Sequence, residues 1–478
     1  MNYTESRGSP VAGVEGDESA FPSPTVLLLS YHFYPSKEIG ARRVTALAQF
    51  LARRAYRLVV ISAFDESLQI GDAELLPHIT AISVPKPRRR LLGAAVLLKN
   101  HLRGRRRSAA HTEESPAKPA SAAEQAMPGI RARLKQFFFR ALYFPDGTRT
   151  WTRRVAAAAT EAGGKYHCKL IIASGPPHGV LLAGAHAARR LGIPFLADLR
   201  DPWSDAHAQA HPESRFELKL HRILEGWVMR RASAVTTATE GVAALLRQRY
   251  PEIARRIRVV RNGYDGEINP RQIRTGGRLS ILFAGELYVG RDPFPLLLGI
   301  EWLLAQPQVN ASLVEVVLMG NVQTYAGQSL EAWLAGKRSA NIVRLLPPQG
   351  PKEVAAAIAN ATVLLNLSQR QPLSVPAKTY EQLASGREIL LICEDGCETA
   401  RLVAGIRGVS RVDAENFQSL TRVLLDLYHR HAIDGLATVP EPQEVRHFSR
   451  SASNEQFLAL VNELLKVATP ATDTPPRE

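Results

Sequence analysis

Residues 26–62 read VLLLSYHFYPSKEIGARRVTALAQFLARRAYRLVVIS. The run at 26–30 is short, apolar and unbroken, which suits a strand buried on both faces. A polar, proline-containing turn follows. From 41 to 54 the apolar positions Val44, Leu47, Ala48 and Leu51 recur at helical spacing along one face, and 58–62 (LVVIS) is apolar and β-branched again. Strand, helix and strand in this order predict a parallel α/β sheet.

The same grammar continues outward. Strands are expected at 170–173, 195–198, 234–237 and 256–260, with helices over 178–190 and 214–231. Asn262–Gly263 is a tight-turn pair. After the polar stretch DGEINPRQIRTGGR at 265–278 the alternation restarts. Strands at 281–284, 314–319, 343–346, 363–366 and 389–392 alternate with helices, among them one over 293–305. The expected fold is α/β, with two Rossmann-like parallel-sheet domains facing across a cleft. The first spans 25–265 and carries a basic insertion at 86–140. The second spans 275–445 and is followed by a helix at 446–467; 1–24 and 468–478 are expected to be disordered tails. In open α/β sheets ligands bind at the carboxyl ends of the strands.

Bulk properties narrow the function. The chain has 478 residues, 45 % of them hydrophobic and 22 % charged, as in a globular protein. Cys168, Cys393 and Cys397 are too few for a disulfide framework, and no ligand cluster accompanies them, so no zinc site is expected. There is no secretory signal and no apolar run of membrane-spanning length, so a cytoplasmic location is expected. The net charge of +15 calls for an anionic partner: nucleic acid, an anionic membrane surface or phosphorylated small molecules.

Four segments in order resemble family-4 glycosyltransferases. They are SYHFYPSKEIGARRVTALAQFLARRAYRLVVIS, then IIASGPPHGVLLAGAHAARRLGIPFLADLRDPW at 171–203, RVVRNGYD at 258–265 and VPAKTYEQLASGREILLI at 375–392. Together they cover most of 25–465. The resemblance implies the GT-B fold, a nucleotide-sugar donor, no metal or other cofactor, and retention at the anomeric carbon. The second segment is similar to members that assemble polysaccharide or lipopolysaccharide, which implies a glycan or lipid-linked acceptor.

Two departures stand out. In FAGELYVGR (283–291) Glu286 stands where many members have an arginine just after Gly285; Arg291 keeps the second basic position. The family's two glutamates eight apart would fall on position 373, which is Leu373, and on Glu381. The resemblance makes Glu381 the residue that accepts bonds from ribose hydroxyls, while Lys378 fits a subgroup pattern and meets a phosphate or the sugar. Each has a structural alternative: a surface arginine at 291, and an i, i+3 ion pair between Lys378 and Glu381. In the first half, Gly40 and Arg42 open a helix whose N-terminal N–H groups suit a diphosphate. The candidate catalytic residues are His178, Asp198 and Asp201, for contact with the sugar or acceptor and for orienting or deprotonating the acceptor hydroxyl. The alternative is a structural network of Asp198, Arg200 and Asp201.

KPRRRLLGAAVLLKNHLRGRRR (86–107) has no acidic residue, and RARLKQFFFRALYF (131–144) is basic and aromatic. Both suit helices lying on an anionic membrane, or apolar faces packed on the domain under solvated arginines. No groove-reading motif or stacking set speaks for nucleic acid. Two other readings stay open: a GT-B sugar-nucleotide epimerase, and a degenerate, non-catalytic binding protein.

Overall fold

The computed structural model describes residues 4–6, 24–36, 38–63, 78–85, 148–205, 215–271, 273–274 and 276–468. The basic insertion expected at 86–140 lies outside the described residues. By contact the chain forms two compact units, Met1–Thr45 with Ala55–Ile193, and Ala46–Arg54 with Pro194–Glu478.

The first unit is built on β2 (Thr25–Ser30), whose six residues are all buried. It pairs in parallel with β3 (Arg57–Ser62) on one side and β5 (Leu170–Gly175) on the other. Beyond β3 lies β4 (Ile79–Ser83), also parallel. Residues 4–6, expected in a disordered tail, instead form β1 (Thr4–Ser6), antiparallel to β4; three backbone residues find partners on an otherwise open sheet edge. The helices are α1 (Ile39–Ala52), α2 (Arg149–Lys165) and α3 (Gly179–Leu191). Helix α1 buries Val44, Leu47, Ala48 and Leu51, the face read from the sequence, and Ala41 besides. It ends short of the expected 54 because the chain turns at Ala55, which takes a φ of 64°. The indole of Trp151 donates to the Val84 carbonyl at 2.8 Å, fixing α2 beside the exit of β4.

The second unit begins with three parallel strands, β6 (Phe195–Leu199), β7 (Ala234–Thr237) and β8 (Ile257–Val259). Helices α4 (Arg215–Arg231) and α5 (Glu240–Arg249) connect them. The Thr239 hydroxyl caps α5 by accepting from the Val242 N–H. A six-stranded parallel sheet follows, with order β13-β10-β9-β14-β15-β16. Its strands are β9 (Leu279–Glu286), β10 (Val314–Asn321), β13 (Val343–Leu346), β14 (Val363–Leu367), β15 (Glu388–Ile392) and β16 (Val409–Val412); β11 (Thr324–Tyr325) and β12 (Gln328–Ser329) make a small hairpin. Helices α6 (Phe294–Leu304), α7 (Pro351–Asn360), α8 (Ala377–Leu383), α9 (Glu398–Val403) and α10 (Phe417–Tyr428) cover it, and α11 (Arg450–Ala468) ends the described chain. Phe283, Leu297, Leu318, Leu365 and Leu424 belong to the continuous core between sheet and helices. Two parallel sheets with crossover helices make the architecture GT-B, as expected.

The polar stretch expected as a linker is pinned rather than free. Tyr264 bridges to Ser449, Arg274 to Leu436, and the Arg450 guanidinium pairs with Asp265. Gly263 has a packing reason: a Cβ there would lie 2.6 Å from the Phe448 carbonyl oxygen. Helix α11 also returns to the second half of α1, where Arg54 pairs with Glu455 and the Asn454 amide donates to the Ala46 carbonyl.

Candidate functional site

In each sheet the strand order reverses direction once. At such a point two neighbouring connections leave on opposite faces and open a crevice at the carboxyl ends. In the six-stranded sheet the reversal lies between β9 and β14. The residues leaving those strands are Gly285 and Glu286 on one side, Ser368 and Gln369 on the other.

Three of the expected residues meet there. A Cβ placed on Gly285 would stand 3.7 Å from both Arg291 Nη1 and Lys378 Nζ. Lys378 Nζ lies 3.9 Å from the centre of the Phe283 ring, held by the ring's negative face. It is buried and has no hydrogen-bond partner among the described residues, so the i, i+3 bond to Glu381 weighed above is not formed. Burial, and after it the Arg291 charge, hold its ammonium well below the usual lysine range. Arg291 stacks on Tyr288, its guanidinium carbon 4.4 Å from the ring centre, and donates from Nη1 to the Glu286 carbonyl at 3.3 Å. Its Nε is buried without a partner, and burial lowers its basicity although Tyr288 and Glu286 act the other way. Two half-buried cations whose buried nitrogens have spare donors are costly unless an anion joins them. An oxyanion with several acceptor oxygens satisfies both through charge-assisted bonds.

The surroundings fix this pair. Gln369 holds Asp292 from both sides, accepting from its N–H at 3.2 Å and donating to its carbonyl at 2.9 Å. Gln371 donates to the Gly290 carbonyl. Asp292 in turn caps α6 through the Phe294 N–H. Helix α8, which carries Lys378, is clamped by the buried Asn366 amide, which donates to Thr379 Oγ1 at 2.9 Å and to Gln382 Oε1 at 2.7 Å. Gly320 on β10 permits the close strand approach: its φ is 123°, and a Cβ there would lie 1.9 Å from the Gly285 carbonyl oxygen. Glu381, one turn beyond Lys378, is exposed.

The first unit's reversal lies between β2 and β5, with Ser30 opposite Ser174 in register. The loop after β5 contains two successive cis prolines, Pro176 and Pro177, and places half-buried His178 at the N-cap of α3. The turn after β2 leads into α1, where Gly40 is half-buried in the first turn and Arg42 is exposed.

Asp198 and Asp201 belong to the second unit. Asp198 is buried at the end of β6 and accepts from the Thr236 hydroxyl at 2.8 Å; Asp201 is exposed. The stretch that follows is locked by residues not singled out in the sequence. Arg249 binds Asp205 through both terminal nitrogens, at 2.9 and 2.8 Å, and Glu225 at 2.9 Å. Tyr250 also donates to Glu225, whose carboxylate is fully buried. Trp203 donates from its indole to His221 Nδ1 at 3.0 Å. Only the pairing of distant helix residues reveals this network, so no local signal marks it. Among the described residues no three His, Cys, Asp or Glu side chains converge as a metal site.

Comparison with known proteins bears on the fold. The model of Glycosyltransferase Family 4 matches residues 118–267. No curated protein matches the sequence. Among solved structures, sucrose-phosphate synthase from Thermosynechococcus elongatus is similar at a TM-score of 0.58 and 13 % identity, covering 93 % of this chain and 100 % of that one. The α,α-trehalose 6-phosphate synthase from Burkholderia multivorans gives 0.58 at 13 % identity, covering 95 % and 100 %. The Anabaena protein HepE in complex with UDP-glucose gives 0.54 at 14 %, covering 92 % and 100 %. Residues 118–267 thus resemble Glycosyltransferase Family 4, and the chain has the GT-B fold of these structures.

Proposed function

We propose that the enzyme transfers a hexose-type sugar from a nucleotide-sugar donor to a glycan or lipid-linked acceptor, with retention and without a metal ion, in cell-surface polysaccharide assembly at the cytoplasmic face of the membrane. The observation that carries the donor assignment is the pair Arg291 Nε and Lys378 Nζ, buried without partners beside Gly285. A nucleoside diphosphate supplies the acceptor oxygens they lack. As the glycosidic bond to the diphosphate breaks, negative charge grows on the leaving oxygens, and two fixed cations stabilise it. Lys378, reaching in from α8, makes good the basic residue that Glu286 displaces from the loop after β9.

Glu381, at the exposed side of α8, is assigned to the ribose hydroxyls. In the domain at 25–265 we assign acceptor binding, with His178 at the first crevice, while Gly40 and Arg42 in the first turn of α1 are assigned to a diphosphate. Asp198, already engaged by Thr236, is suited to orienting a hydroxyl; Asp201, exposed, is suited to contacting the acceptor. The UDP-glucose complex of the Anabaena protein supports a nucleotide-sugar of that class as the donor.

The test is thermal stability against a panel of nucleoside diphosphates and nucleotide sugars in EDTA. One donor is expected to raise the melting temperature by mass action. The shift is expected to shrink in Lys378→Met and, to a lesser extent, in Arg291→Ala. A panel without any shift would overturn the donor assignment.

A further inference from the structure

Helix α4 has two apolar stripes. One is the buried face, with His221, Glu225, Val228 and Met229. The other points to solvent: Phe216, Leu220, Ile223 and Trp227 recur at i, i+4, i+7 and i+11, a single line down the opposite side. Phe216 is 63 % and Ile223 54 % exposed, and Leu220 and Trp227 are half-buried. Cations border this line. Arg215, Lys219, Arg222, Arg230 and Arg231 are all exposed; Arg231 lies over the Trp227 ring at 4.3 Å, and Arg230 meets Glu252 at 3.5 Å. The one acidic residue of the helix outside its buried face is Glu217, which is half-buried.

We infer that the outward face of α4 docks on an anionic lipid bilayer, the four apolar side chains entering the interface and the cations meeting lipid phosphates. An aromatic and aliphatic line rimmed by lysine and arginine is the pattern of a helix lying in a membrane surface. The charge decides between occupants. A second copy would set five like charges against five, and each basic residue near an anionic leaflet is attracted to it. This surface lies on a described helix and is distinct from the basic insertion at 86–140. It does not depend on the donor assignment, because docking is read without turnover.

The test uses the full-length protein and sedimentation with vesicles of equal parts phosphatidylglycerol and phosphatidylcholine, against pure phosphatidylcholine. Wild type is expected to sediment with the anionic vesicles, and Phe216→Ser/Ile223→Ser to lose about tenfold or more in partition coefficient. Lys219→Glu/Arg222→Glu is expected to lose binding in low salt and to match wild type in high salt. Brominated lipid is expected to quench tryptophan emission in wild type, and Trp227→Phe to remove that quenching; this reading stands if the serine variant fails to fold. Sedimentation of the folded serine variant equal to wild type overturns the proposal. So does a wild-type dimer that the serine substitutions dissolve, which would make the stripe a contact between copies, or quenching unchanged in Trp227→Phe.

Discussion

At the carboxyl ends of β2 and β5 the chain places serines, prolines and a histidine, whereas beyond the ends of β9 and β14 it places two half-buried cations, each with a buried nitrogen. The topological device is the same in both sheets, a reversal of strand order that opens a crevice. At the first crevice several polar groups pair locally: Ser30 donates to the His32 carbonyl, and the Tyr34 N–H donates to Thr45. The second leaves donors on Arg291 and Lys378 unmatched. Topology therefore sets where a ligand sits, and the polar groups left over set which ligand it is.

The comparison breaks most severely at the backbone of the second crevice. Gly320→Ala puts a Cβ against the Gly285 carbonyl and forces a left-handed conformation on alanine, at a cost on the order of 3 kcal/mol or more in denaturant unfolding. Next, Lys378→Met is expected to weaken nucleoside diphosphate binding by about 10- to 100-fold in calorimetry, the worth of one charge-assisted bond. The same substitution is expected to leave the ligand-free protein as stable or more so, since an unpaired buried ammonium is removed. The pH dependence follows from the depressed basicity of Lys378. The unfolded chain keeps the proton up to about pH 10.4, while the folded chain releases it earlier. Wild-type stability therefore rises with pH across that window, and its deficit against Lys378→Met is expected to shrink as pH approaches the upper end. Arg291→Ala comes third, with a loss of about tenfold in the same titration, because Arg291 is partly engaged by Glu286. The smallest effect sharpens the contrast: His178→Ala, in the first crevice, is expected to change diphosphate affinity by less than about twofold, while lowering kcat/KM for the acceptor.

Most of the fold was legible because the strands are uninterrupted apolar runs. The segments at 234–237 and 343–346 match β7 and β13 in full. Five described strands escaped, β1, β4, β11, β12 and β16. Ile79–Ser83 alternates weakly in a polar setting, and Val409–Val412 has only Val412 buried, as an edge strand with a mixed face. In the site, the positions of Gly285, Arg291 and Lys378 could be read from motif order. The solvation of Lys378 could not, because it depends on the Phe283 ring one strand away and on the Asn366 clamp. Glu225 falls within the helix expected over 214–231 with nothing local to mark it; its partners Arg249 and Tyr250 meet it only in the folded chain.

The return of α11 to α1 has a consequence for synthesis. Asn454 and Ala46 are 408 residues apart, so the ribosome makes the second half of α1 long before the helix it rests on. Chain closure over such a span costs little more entropy than closing a shorter loop, but it cannot begin until α11 has emerged from the ribosome. The end of α1 therefore waits for α11 during synthesis, and a chain cut at residue 449 leaves it without that partner.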